Sequence, residues 1–128
     1  MTIYKDLIGE TEGTVCGADF SRVLSLVDRL GAPILVASFQ SFYFTLRRKW
    51  ALPGATDADE DVIAQASLVS GITTEDESSI GVALAGSVLE VPPRVYVYDV
   101  KGITLLAQRI VLVRGNFEIL PRATASTT

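Results

Sequence analysis

The chain has 128 residues, 48% of them hydrophobic, and a formal net charge of -4. That length fits one domain able to bury its own core, and the acidic balance argues against a nucleic-acid binder, which carries a basic stripe. With no histidine and a single cysteine, Cys16, the chain lacks Ser-His-Asp and Cys-His catalysis, His-ligated or all-Cys zinc, and any internal disulfide.

The first ten residues, "MTIYKDLIGE", have no basic region followed by an apolar core, so no secretory signal is expected. Every apolar run is broken by charge, Gly or Pro before it reaches the length of a membrane span. Residues 1–18 are mixed and Gly-punctuated, and read as an arm or a first edge strand. Residues 19–28, "DFSRVLSLVD", alternate with apolar groups on both faces, which predicts a strand covered at least partly on both sides. A turn follows at residues 29–33, where Gly31 supplies free φ and Pro33 ends it, and "ILVAS" (34–38) reads as a short strand.

Residues 39–50, "FQSFYFTLRRKW", carry the strongest β signal, with Phe42, Phe44 and Leu46 on one face and Tyr43, Thr45 and Arg47 on the other. The Pro-Gly pair and acidic run of residues 51–61 predict a loop. Residues 62–71 read as a strand in preference to a short helix. "ITTEDESS" (72–79) is polar and turn-like, "IGVALAG" (80–86) a short strand, and "SVLEVPP" (87–93) a connector with one helical turn, stopped by Pro92-Pro93. "RVYVYDVKGIT" and "QRIVLVRGNFEIL" then form the last two long strands, and Pro121 closes the second. Many short strands with turn signals roughly every 8–12 residues predict an all-β sandwich.

Within "RVYVYDV", Tyr96 and Tyr98 share one face with Val100, while Val95 and Val97 share the other with Asp99. The tyrosine face is expected to pack at the core, with a hydroxyl reaching loop backbone, as in the tyrosine corner of immunoglobulin-like folds.

Chemistry-bearing constellations are few. Asp57, Asp59, Glu60 and Asp61 offer hard oxygen ligands of the kind calcium takes, but without the Gly and terminal Glu of a calcium loop. They read as an acidic surface loop, and so do Glu75, Asp76 and Glu77. Cys16 has no basic neighbour and reads as a small apolar filler. Arg47, Arg48 and Lys49 read as a solvated strand end. No metal, cofactor or enzymatic activity is expected.

The order of segments carries a resemblance. "GADFSRVLSLVDRLGAPILV", then "FYFTLRRKW", "DADED", "VIAQ", "GIT" with an acidic turn, "SIGVALAGSVLEVPPRVYVYDV" and "RIVLVRGNFEILPRAT" resemble the N-terminal module of the upper baseplate protein family of tailed bacteriophages, over residues 17–123. The resemblance implies an immunoglobulin-like antiparallel β-sandwich at residues 17–121; residues 1–16 add an N-terminal arm that the family's core module does not need, and the small polar residues 122–128 read as a flexible tail. It implies a virion structural protein, made in the host cytoplasm, that binds other virion proteins of the tail and baseplate. Capsid decoration or cementing is the second placement. Such a protein is expected to be a homo-oligomer, without nucleic-acid or membrane partners. Ile3, Tyr4, Leu7 and Ile8 of the arm and the strand-end Trp50 are the candidate partner contacts. An alternative is a carbohydrate-binding or host-adhesion module in which Trp50 and Tyr4 meet the glycan.

Overall fold

The computed structural model describes residues 7–8, 12–28, 30–49, 61–68 and 70–121. Among them the strands are β1 (Leu7–Ile8), β2 (Glu12–Val15), β3 (Phe20–Ser25), β4 (Phe39–Arg47), β5 (Val62–Ser67), β6 (Ile72–Asp76), β7 (Ser79–Leu84), β8 (Arg94–Thr104) and β9 (Arg109–Leu120). One sheet has the order β1-β9-β8-β4-β5, with β2 also paired to β9; the other has the order β3-β7-β6. The two sheets pack together as an all-β sandwich.

Strand alternation sends most of the described aromatic residues inward, Tyr43 of β4 excepted. Phe42, Phe44 and Leu46 of β4, Tyr96, Tyr98 and Val100 of β8, and Phe117 and Ile119 of β9 meet Phe20 of β3 and Ile80, Val82 and Leu84 of β7 in one core. Phe44 stacks on Tyr98 with ring centres 5.3 Å apart, and Phe20 crosses from the smaller sheet to meet Phe117 edge-on at 4.9 Å. Each such side chain contributes about 1.5–3 kcal/mol by leaving water. Where β4 begins, Phe39 faces Thr104 while Ser41 faces the adjacent Ile103. The extra residue switches Phe39 onto the core face, 5.0 Å from Phe42.

β8 spans the residues predicted for it, and β4, β5, β7 and β9 lie within or next to theirs. The connector before β8 contains a 3-10 turn at Gly86–Leu89. Several expectations are corrected. Residues 34–38 form no strand. β3 and β4 belong to different sheets, so residues 26–38 must cross between them, and the apolar run plugs the core instead. Leu26 and Ile34 are fully buried, the Ile34 N–H donates to the Leu26 carbonyl (2.9 Å), and Val36–Ser38 coil into a 3-10 turn. The "D..G.P" pattern works as a turn: the Asp28 carboxylate accepts the N–H groups of Leu30 and Ala32, and Gly31 sits at φ 83°.

Residues 72–76, predicted as a turn, are strand β6. Its polarity comes from lying at the sheet's edge, and the turn is confined to Glu77 and Ser78. β3 is not covered on both sides: Val23 is 56% exposed, because the smaller sheet turns its outer face to solvent. Lastly, the sandwich is antiparallel except at its N-terminal strands, which run parallel to β9. Within residues 1–18 the described stretches pair as β1 and β2, so backbone pairing is present N-terminal of residue 17. β2 and β3 are joined by a short link yet sit in opposite sheets.

Candidate interaction surface

Three connections meet at one end of the sandwich: residues 26–38, the β6–β7 turn and the β8–β9 hairpin. Backbone hydrogen bonds lock them together. The Leu26 N–H donates to the Ser78 carbonyl (2.7 Å), Val36 to Glu77 (2.8 Å) and Leu105 to Ser38 (3.2 Å). On this fixed surface stand Leu30 (85% exposed), Leu35 (51%), Leu105 (66%) and Leu106 (85%).

The hairpin tip runs against ordinary turn chemistry. Gly, Asn, Asp, Ser and Pro dominate turns because they tolerate positive φ, hydrogen-bond their own backbone or, for Pro, preset the turn's negative φ. Here the tip is Leu105-Leu106-Ala107, and Ala107 adopts φ 65°. Thr104 holds the turn closed. Its carbonyl accepts the Ala107 N–H (2.9 Å), its N–H donates to the Gln108 carbonyl (2.9 Å), and its hydroxyl accepts the Gln108 N–H (3.1 Å).

Beside these leucines lies an open cleft of about 640 Å³, lined by Leu35, Val36 and Ala37 on one side and by Thr74, Glu75, Asp76 and Glu77 on the other. Part of the acidic rim is internally engaged. Glu75 accepts the Thr73 hydroxyl (2.7 Å) and Asp76 accepts the Ser78 N–H (2.9 Å). A smaller polar hollow of about 160 Å³ lies among Tyr43, Gln65, Lys101, Ile103 and Arg109.

At the opposite end, Tyr96 is buried and its hydroxyl donates to the Pro92 carbonyl four residues upstream, the contact expected of a tyrosine-corner arrangement. The Arg94 guanidinium lies 5.4 Å from the centre of the Tyr96 ring. Burial pushes the phenol pKa up, with Arg94 opposing. Tyr98 is equally buried, so this face is core wall and no ligand platform. Cys16 packs partly buried against the core and its thiol donates to the Val91 carbonyl (3.4 Å).

Of the candidate contact residues, Ile3, Tyr4 and Trp50 lie outside the described residues, as do the predicted tail at 122–128 and Asp57, Asp59 and Glu60. Leu7 and Ile8 stand beside Val113 and Arg114 of β9 in parallel register. Asp61 has its carboxylate 3.8 Å from the Lys49 ammonium. Among the described residues no group of three or more acidic or Cys side chains is placed to hold a metal. The leucine end was missed at the sequence level, although it left a signal: "TLLAQ" between two long strands is a hairpin turn with no turn-forming residue.

No protein-family model matches the chain, and no curated protein matches its sequence.

Proposed function

We propose that the chain is a bacteriophage virion structural module, non-enzymatic, that docks onto neighbouring virion proteins through the leucine-bearing end of an immunoglobulin-like sandwich. The observation that carries this reading is the Leu105-Leu106-Ala107 tip. Folding alone favours a polar or glycine-containing turn at that position. A turn that exposes two leucines and holds an alanine at positive φ departs from local preference, and such departures concentrate where a chain binds something. The order of segments, similar to that of the phage baseplate module, supplies the kind of partner. Tail-tip or baseplate assembly is the first placement, and capsid decoration or cementing the second.

Quantitative mass spectrometry of density-purified particles of the phage that encodes the chain tests the reading. The chain is expected as a stoichiometric component. A symmetric capsid coat would contain on the order of hundreds of copies, and a tail tip about a few dozen or fewer. Intact, infectious particles that lack the chain would overturn the proposal.

A further inference from the structure

We infer that the outer edge of β6 is a strand-addition site for an extended, basic-apolar segment of a partner protein. β6 is the last strand of the smaller sheet among the described residues. The Gly71 carbonyl accepts the Ala83 N–H (2.8 Å) from β7. Alternation along an antiparallel ladder then turns the N–H and carbonyl of Thr74 away from β7, toward the space beside the sheet. An extended segment laid there gains main-chain hydrogen bonds, and its alternate side chains need somewhere to go. The cleft supplies that place. Leu35, Val36 and Ala37 form an apolar wall next to Thr74, and Glu75, Asp76 and Glu77 line the strand side.

Charge selects the occupant. A second copy of the chain would bring its own acidic edge and a net charge of -4 against these three acids, and like charges placed opposite each other on paired strands repel. A segment alternating apolar residues with lysine or arginine meets both features: apolar side chains against Leu35–Ala37, cations against the carboxylates. The edge thus rejects its own kind and accepts a basic strand. This inference goes beyond the virion reading and does not depend on it, since particle content tests one and peptide binding the other.

The test uses fluorescein-labelled short peptides and the whole chain. A peptide alternating valine and lysine is expected to bind saturably and to shift the amide resonances of Thr74 and of residues 35–37. Methylating its backbone nitrogens on the strand-facing side leaves charge and side chains in place and should weaken binding about tenfold, the loss of a main-chain hydrogen bond or two. The double variant E75K/E77K should reverse preference toward a valine–glutamate peptide. Equal binding of the methylated peptide, shifts confined to other surfaces, or no saturable binding of the valine–lysine peptide would overturn the inference. The methylated peptide uses the unaltered protein, so misfolding of a variant does not cloud the result.

Discussion

At the scale of single residues, Tyr96 joins the sequence to the fold most directly. Its hydroxyl bond to Pro92 ties the start of β8 to the connector that launches it. Tyr96→Phe removes that bond while keeping the ring, so urea unfolding should show a loss of about 1 kcal/mol. The pH dependence of that difference has a definite sign. Burial raises the phenol pKa above its ordinary value in the unfolded chain, so the folded state holds the proton more tightly. This contribution is complete below about pH 10 and is lost as pH climbs through the folded value. The gap between the natural chain and Tyr96→Phe should therefore narrow above about pH 10, and comparing the two cancels the other tyrosines. That Tyr96 and Tyr98 share a face was legible from alternation. That theirs is the inner face was not, because Val95 and Val97 are as apolar; Phe44, from a strand distant in sequence, decides it by stacking on Tyr98. Ala107 shows the opposite case, a local preference overridden. At φ 65° a side chain costs about 1–2 kcal/mol, part of which glycine recovers. Ala107→Gly should raise stability by about 0.5–1 kcal/mol in the same urea assay.

At the scale of elements, β2 stitches the two sheets together. It pairs with β9 of one sheet through Glu12–Val15, and Glu12, itself buried, reaches Arg22 of β3 in the other at 3.6 Å. Deleting residues 1–15 removes β1, β2 and this ion pair, and strips the edge of β9. The truncated domain should lose roughly 2–4 kcal/mol, at about 1 kcal/mol net for each lost backbone bond. Urea titration with a reduced midpoint checks this, and an unchanged midpoint would show that the segment only rests on the sheet. The strands that the sequence marked well, β4, β8 and β9, are those whose apolar alternation is long enough to dominate every local signal. The elements it missed are those whose role is set by position in the assembled sandwich. Ile34 reads as strand and acts as a core plug, because β3 and β4 lie in different sheets. Thr73, Thr74 and Glu75 read as turn and form a strand, because an edge strand can stay polar. Neither placement is encoded locally, since each depends on which strands end up as neighbours.

At the scale of the whole molecule, the sandwich is asymmetric along its length. One end carries the Tyr96–Pro92 bond and the fully buried Leu89, with Val88, Val95 and Leu120 partly exposed around them. The other exposes leucines on hydrogen-bonded loops. The proposed docking surface is thereby set apart from the tyrosine bond, and substitutions can separate the two. Leu105 and Leu106 are 66% and 85% exposed, so replacing both with serine removes little buried area, and surface changes of this kind stay within about 0.5 kcal/mol. The double variant L105S/L106S should keep its thermal midpoint. If the proposed role holds, it should nevertheless compete poorly with the natural chain for incorporation into particles. The measurement is a mixed expression of tagged and natural chains, with both quantified in purified particles. Equal incorporation would remove the hairpin tip from the docking surface. A fall in thermal midpoint would instead show that the leucines serve the fold. The combination expected here, an unchanged midpoint with lost incorporation, belongs only to a surface kept apolar for a partner, because no gain in folding accounts for two leucines held in water by a hydrogen-bonded turn.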